Sequence, residues 1–232
     1  MDAASALKTL PSRLVEIFPH MANVRELAKQ LSDLSEQAES AGAAEAFRTL
    51  LRARIEEHKR GGQRLSSIVI PYLPKGPLLV FTLSKSGTVA SVLQDLAASG
   101  RKLCVLVAES RPGAEGARMA RELADRGIRT RTCDDFLLLS LVPPEAAPRR
   151  PAGYVGNSVV LVGADAVHPD GLVNKVGTRA LLDTSRRAGV PAFVLATSSK
   201  LRKESAPTAL GSLFETIPRA EIMVLTESGP VA

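Results

Sequence analysis

From Ser66 to the C-terminus, short apolar runs alternate with amphipathic segments, and this alternation limits the possible folds more than any other feature. The runs predict strands at residues 68–70, 78–81, 103–107, 128–133, 159–162, 192–196 and 222–225. The amphipathic segments predict helices at residues 89–98, 114–126, 135–142 and 178–188. Strands joined by crossover helices form a mostly parallel sheet. The sequence therefore predicts a doubly wound, Rossmann-like α/β domain with helices on both faces of the sheet.

Residues 1–65 lack strand patterns and carry apolar side chains at helical spacing. We expect about three helices here, in a region punctuated by Pro11, Pro19 and residues 40–42. Gly61 and Gly62 have the character of a helix stop, after which the composition changes. The chain is thus expected to divide into a small N-terminal helical domain, residues 1–65, and an α/β domain, residues 66–232. The Pro-rich segment 143–153 is expected to be an exposed loop.

The composition is that of an ordinary globular protein, with 45% hydrophobic residues and no apolar run long enough to span a bilayer. The N-terminal segment lacks the pattern of a secretory signal, so we expect a cytoplasmic protein without a membrane partner. The net charge is +6, but only 3% of the residues are aromatic. This balance favours an anionic small ligand over direct binding of nucleic acid.

Several cofactor and metal signatures are absent from the sequence. The early strands are followed neither by G-x-G-x-x-G nor by a phosphate loop of the G-x-x-x-x-G-K-[ST] type, which argues against a nicotinamide or ATP enzyme. The three histidines show no metal-ligand spacing. Cys104 and Cys133 fall in neighbouring predicted strands, where two small buried hydrophobic side chains are expected rather than a disulfide or zinc site. No cofactor and no metal are therefore expected.

Polar side chains follow the first two long apolar runs. Ser84, Lys85 and Ser86 come after the run at 78–81 and precede a predicted helix, where hydroxyls and a lysine suit a phosphate. An ordinary helix cap is the alternative for these residues. Arg111 follows the run at 103–107 and suits an anion, or an acid across a subunit interface.

Two later runs end in ionisable residues. Asp165 follows the run at 159–162, at the sheet edge where open α/β folds bind ligands, although it could also cap a loop. Asn174 and Lys175 come shortly before the helix that begins near residue 178, and a lysine at a helix N-terminus suits a phosphate. Lys200 follows the run at 192–196 and is either a ligand contact or a solvent-exposed lysine.

A series of short motifs carries a resemblance to a known family. In order and spacing, TLSKSGTV, ESRPGAEGARMARELADRGI, VLVGADAV, GLVNKVGT, ATSSK and TESG resemble the alpha, beta and delta regulatory subunits of translation initiation factor 2B. The same family contains methylthioribose-1-phosphate isomerase and ribose-1,5-bisphosphate isomerase. The resemblance covers residues 78–229. It implies an N-terminal helical domain and a Rossmann-like C-terminal domain that binds the ligand and forms a homodimer.

The resemblance also implies roles for individual residues. In the isomerases of the family, a cysteine in the first loop and the aspartate of a G-A-D motif act on an aldose phosphate. The aspartate corresponds to Asp165, whereas the cysteine position falls on Ser84, so these two residues are the catalytic candidates. A serine hydroxyl needs an adjacent general base, and no histidine is near Ser84 in sequence. The R-G-A phosphate motif of the isomerases has no full counterpart, since residues 23–27 lack its glycine.

We therefore expect a protein of the initiation factor 2B regulatory-subunit type that binds a phosphorylated sugar or nucleoside monophosphate without isomerising it. The expected ligand contacts are Ser84, Lys85, Ser86, Arg111, Asn174, Lys175 and Lys200. One alternative is an aldose–ketose sugar-phosphate isomerase with a modified site that uses Asp165. The other is a protein-interaction subunit of a larger assembly.

Overall fold

The computed structural model describes residues 3–37, 40–208, 210–220 and 222–231. The helices are α1 (Ala3–Ile17), α2 (Ala22–Gln37), α3 (Ser40–Val69), α4 (Gly87–Ala98), α5 (Glu115–Ala124), α6 (Asp135–Leu141) and α7 (Thr178–Arg187). The strands are β1 (Leu78–Leu83), β2 (Leu103–Ala108), β3 (Arg129–Cys133), β4 (Asn157–Gly163), β5 (Ala166–Val167), β6 (Gly171–Lys175), β7 (Ala192–Leu195), β8 (Phe214–Pro218), β9 (Met223–Thr226) and β10 (Gly229–Val231). Short 3-10 turns occupy Ile70–Tyr72, Pro144–Arg149 and Ser198–Lys200.

The main sheet has the strand order β10-β9-β7-β4-β1-β2-β3. Its neighbouring strands are parallel, except that β10 runs antiparallel to β9. From β1 the chain builds outward to β2 and β3 on one side, and to β4, β7 and β9 on the other. The carboxyl ends of β1 and β4 therefore flank the topological switch point, where open α/β sheets bind their ligands. The predicted Rossmann-like class is confirmed.

The apolar runs become central strands because both faces of the sheet are covered. Val80 of β1 packs into a core that α4 and α5 close, whereas its neighbour Phe81 packs into a second core under α6 and α7. Strands buried on both faces consist almost entirely of apolar residues, as β1, β2 and β4 do. The two cysteines lie on β2 and β3 and are free thiols.

Helix α3 corrects two predictions made at the N-terminal region. The strand predicted at 68–70 is wrong, because α3 continues to Val69 and places Leu65 and Val69, one helical turn apart, in the core of the sheet. Gly62 does not end the helix either. A Cβ on Gly62 would lie 2.9 Å from Ser91 Oγ, so this glycine lets α3 pass close to α4. The predicted domain boundary after residue 65 falls inside α3, and the division into two domains stays a prediction.

A second, antiparallel sheet of order β5-β6-β8 was not predicted. No strand was predicted between residues 163 and 178, but β5 and β6 form a hairpin there, closed by the hydrogen bond from His168 N to Gly171 O at 2.8 Å. These strands are too short to show a period in sequence. The hairpin lies beside two of the candidate residues, because Asp165 precedes it and Lys175 ends it. Within the described residues, no helix is both long and apolar enough to cross a bilayer.

Candidate functional site

The loops that follow β1 and β4 meet at the switch point. Ser84, directly after β1, has a left-handed backbone with φ of 57°, and its N–H donates to Ser110 Oγ beyond β2 at 2.7 Å. Gly163 ends β4, and a Cβ on it would lie 2.4 Å from Ser86 Oγ. A glycine at position 163 therefore permits the contact between the two loops.

Asp165 and Lys200 form an ionisable pair at this edge. Lys200 is only 8% exposed, and its Nζ donates to Ala164 O. Burial raises the pKa of the Asp165 carboxyl, although Lys200, His20 and Lys175 oppose that shift. Burial also lowers the pKa of Lys200, against the attraction of Asp165. Both groups are shifted towards their neutral forms, a condition that suits hydrogen bonding to hydroxyls and proton transfer.

Backbone contacts from two elements fix the position of Asp165. Its N–H donates to Val173 O at 2.8 Å, which ties it to the β5–β6 hairpin. Its carbonyl oxygen accepts from Ala22 N at 3.0 Å, which ties it to the start of α2. The N-terminal helical region therefore lies against the predicted site.

Carboxylates of the protein itself contact both Lys175 and the start of α7. The Lys175 side chain is 8% exposed, and its Nζ lies 3.4 Å from Glu115 Oε1 at the first residue of α5. Asn174 donates from Nδ2 to Thr178 Oγ1 at 2.9 Å. The Glu215 carboxylate accepts from the N–H of Arg179 at 2.9 Å. The first turn of α7, which we expected to meet a phosphate, thus already binds a carboxylate.

Two further predicted contacts lie at the rim of the site. Lys85 pairs with Glu122 of α5, and the two side chains are 42% and 44% exposed. Arg111 Nε lies 2.9 Å from Glu109 Oε2, and the Arg111 side chain is 70% exposed. Exposed pairs of this kind contribute little to stability. Arg111 is held instead by its backbone, whose N–H donates to Asp135 Oδ2 at 3.0 Å.

The structure adds two residues that the sequence analysis missed. Glu115 reaches Lys175 from α5. His58 of α3 places its Nε2 3.8 Å from the point that a Cβ on Gly87 would occupy, beside the N-terminus of α4. Both contacts join elements that are distant in sequence, so no local sequence pattern could predict them.

Two cavities lie near these elements. One of about 350 Å³ separates α2 and α3 from the ends of β7 and β9, and its wall includes Asn23, His58, Ser198 and Glu227. A second of about 450 Å³ lies beside α7 and β8, away from the predicted contacts. The first cavity lies closer to the switch point, because it meets the end of β7, the neighbour of β4, but none of the predicted ligand contacts is among the residues of its wall. Among the residues that the structure describes, no group of three or more His, Cys, Asp or Glu side chains could hold a metal ion.

The fold and these groups define a class: a Rossmann-like α/β protein with an N-terminal helical region, whose ionisable side chains converge at the carboxyl edge of the sheet. A profile of the Initiation factor 2 subunit family matches residues 4–230, and the chain belongs to that family.

The curated relatives include both initiation factor 2B-like proteins and sugar-phosphate isomerases. A putative translation initiation factor eIF-2B subunit 2-like protein of Pyrococcus horikoshii is 30% identical over 196 residues, which cover 84% of this chain and 64% of the relative. A methylthioribose-1-phosphate isomerase of Leptospira interrogans is 28% identical, with coverages of 91% and 64%. A ribose 1,5-bisphosphate isomerase of Haloterrigena turkmenica is 30% identical, with coverages of 75% and 50%. The chain thus spans less than two thirds of the length of these relatives.

Solved structures agree with the fold. The Pyrococcus horikoshii translation initiation factor eIF-2B has a TM-score of 0.73 at 24% identity, covering 98% of this chain and 82% of that one. The 5-methylthioribose 1-phosphate isomerase from the same organism has a TM-score of 0.64 at 19% identity, with coverages of 90% and 65%. At these identities the likeness establishes the fold alone.

Proposed function

We propose that this protein binds a phosphorylated sugar or nucleoside monophosphate at the carboxyl ends of β1 and β4, without isomerising it. The observation that carries the proposal is the pair of Asp165 and the buried Lys200 at the switch point, beside the loop that begins at Ser84. A carboxylate and an amine of this kind suit the hydroxyls of a sugar. At the start of α4, Ser86 caps the helix, since its Oγ accepts from the N–H of Val89 at 3.3 Å. The N–H groups of Gly87 and Thr88, which come before Val89 in the first turn, suit the phosphate.

The absence of turnover follows from Ser84. The isomerases that the motifs resemble carry a cysteine at this position, and a thiol loses its proton far more readily than a hydroxyl. The resemblance therefore supports a site that keeps its acid, Asp165, and lacks the sulfur nucleophile or acid of its relatives. A protein of this kind fits the regulatory branch of the family.

The test is to offer the purified protein methylthioribose 1-phosphate, ribose 1,5-bisphosphate and adenosine monophosphate. We expect calorimetry to detect binding of at least one of these compounds, and NMR to detect no ketose product. A family isomerase under the same conditions serves as the positive control. Formation of ketose by this protein would contradict the proposal, and so would failure to bind any of the compounds.

One contact favours an isomerase as the second candidate. The His58 imidazole lies at the N-terminus of α4, near the loop of Ser84, where a general base for the hydroxyl would be needed. In this candidate Asp165 is the second acid or base. The Asp165→Asn variant tests this candidate. If the protein is an isomerase, the substitution should abolish turnover and leave ligand binding largely intact.

We further propose a homodimer formed through the α/β part, as the resemblance implies. A solved relative is a tetrameric eIF2B-beta2-delta2 complex from C. thermophilum, similar at a TM-score of 0.64. The interaction-subunit function would use the same part of the molecule. Light scattering of the purified chain measures the mass, and a monomer would exclude the homodimer.

A further inference from the structure

Each of the four cations predicted to bind phosphate already has an oxygen partner. The pairs are Lys85 with Glu122, Arg111 with Glu109, Lys175 with Glu115, and Lys200 with the carbonyl oxygen of Ala164. Three of these partners are carboxylates, so the positive charge of the site is largely balanced by the protein. The pair of Lys175 and Glu115 differs from the two exposed pairs because Lys175 is buried.

Two nearby glycines, Gly113 and Gly116, leave room for the Glu115 carboxylate and for the first turn of α5. Gly116 packs against the end of β2, where a Cβ would lie 1.8 Å from Ala108 O. At Gly113 a Cβ would lie 2.1 Å from Glu115 Oε1, so the carboxylate folds back over a position that only glycine leaves open. The loop before α5 thus holds Glu115 against Lys175.

The two oxygens of Glu115 differ in their contacts. Oε1 faces Lys175 Nζ at 3.4 Å, whereas Oε2 is buried and has no hydrogen-bond partner among the described residues. A buried carboxylate oxygen without a donor carries an uncompensated desolvation cost. Such an oxygen suits a ligand that brings a hydrogen-bond donor.

We propose that Glu115 selects the ligand by the group presented to Lys175, favouring a hydroxyl and disfavouring a phosphate. A hydroxyl donates to Glu115 Oε2 and accepts from Lys175 Nζ, which satisfies both groups. A phosphate brings a charge of about −1.5 to −2, so it would lie beside a like charge and leave Oε2 without a donor. The inference rests on the proposed function and narrows its ligand class. That class is a sugar or nucleoside with one phosphate and free hydroxyls at its other end.

The test compares two ligands that differ by one phosphate, ribose 5-phosphate and ribose 1,5-bisphosphate, by calorimetry at a fixed ionic strength. We expect the unmodified protein to prefer the monophosphate. In Glu115→Gln the ratio of affinities should move towards the bisphosphate by about tenfold or more, because like-charge repulsion in a binding site is large enough for such a change. Asp125→Asn, which removes the same charge at the other end of α5, should leave the ratio unchanged.

The outcomes separate this inference from the proposed function. If both ligands bind and Glu115→Gln leaves the ratio of their affinities unchanged, Glu115 does not select the ligand. The proposed ligand site is then still supported. If the unmodified protein binds neither ligand nor any other phosphorylated sugar or nucleotide, the proposed function fails and the inference falls with it. A preference of the unmodified protein for the bisphosphate overturns the inference even if the variant does not fold.

Discussion

Asp165 and Lys200 lie at adjacent strand ends, and each makes the other's burial tolerable. A carboxylate and an ammonium group both lose hydration when they are buried, and their mutual attraction offsets part of that cost. At this site the cost remains the larger effect, since the pKa of Asp165 is raised and that of Lys200 is lowered. The pKa values of both groups are therefore shifted towards the neutral forms, a state that suits hydrogen bonds to the hydroxyls of a ligand.

The raised pKa of Asp165 predicts a pH-dependent stability. A carboxyl whose pKa is higher in the folded state favours folding most at pH values below its unfolded pKa of about 3.9, and that contribution is lost as the pH rises through the folded pKa. The amide in Asp165→Asn does not titrate, so the variant should gain stability relative to the unmodified protein as the pH rises across that window. Urea unfolding of both proteins at several pH values measures the difference.

Asp170→Asn provides a control of opposite sign. The pKa of Asp170 is lowered, chiefly because its Oδ1 accepts from Ala206 N at 2.8 Å. Its contribution to folding is present above the unfolded pKa and is lost in acid, so Asp170→Asn should lose stability relative to the unmodified protein as the pH rises. Parallel trends in the two variants would contradict the assignment of the shift to the burial of Asp165.

Single residues were predictable where one rule of parallel sheets applied. The location of Asp165 and Lys200 was predictable because each follows an apolar run, and such runs end at one edge of the sheet; their roles stay predictions. The partner of Lys175 was not found, because Glu115 reaches it from a helix on another part of the chain. Lys200 is buried whereas Lys85 is exposed, and no local sequence pattern predicts this difference between the two lysines.

At the scale of elements, α5 is the helix whose placement matters most for the site. It supplies Glu115 to Lys175 and Glu122 to Lys85, and Gly116 holds its first turn on the end of β2. The contact at Gly116 is with backbone, which cannot rotate away as a side chain can. The position of α5, and with it the charge balance of the site, therefore depends on this glycine.

We expect Gly116→Ala to lower the free energy of unfolding by about 2 kcal/mol or more, because the added methyl group would overlap Ala108 O. Ligand binding should weaken as well, since α5 must shift. Gly42→Ala in α3 meets nothing within 4 Å and should instead raise stability by up to about 1 kcal/mol through helix propensity. Chemical denaturation measures both variants, and equal effects would show that the close approach of α5 is unimportant.

Most elements could be predicted from periodicity, and the failures have physical causes. Helix α3 passes through Gly61 and Gly62 because tertiary packing overrides the local preference of glycine for a helix end. The β5–β6 hairpin is too short for its alternation to be detected, and its pairing with β8 joins distant parts of the chain. Local sequence patterns cannot predict long-range strand pairing of this kind.

At the scale of the whole molecule, the C-terminal end of α3 and the sheet share one core. Leu65 of α3 is fully buried among side chains of α4 and the sheet, although it is the last residue of the predicted helical domain. The start of α2 also contacts Asp165 through Ala22. The N-terminal region is therefore joined to the sheet both through the core and at the candidate site.

We expect Leu65→Ala to lower the free energy of unfolding of the whole protein by about 2–5 kcal/mol, as buried leucine truncations do. Ile55→Ala in the same helix truncates a side chain that is 55% exposed, so it should change stability by no more than about 0.5 kcal/mol. Circular dichroism and the fluorescence of the two tyrosines, in a chain without tryptophan, can follow the transition. Separate transitions for helices and sheet, with only the first affected by Leu65→Ala, would contradict a shared core.

Because β4 follows β1 to β3 in the chain, the two halves of the candidate site are synthesised at different times. Strands β1 to β3 are synthesised first and carry the Ser84 loop, whereas Asp165, Lys175 and Lys200 all come after β4, the strand that pairs with β1. A nascent chain that ends at β3 therefore has half of the switch point, without Asp165. A ligand that contacts both halves of the site therefore stabilises the sheet in which β4 is paired with β1, by mass action.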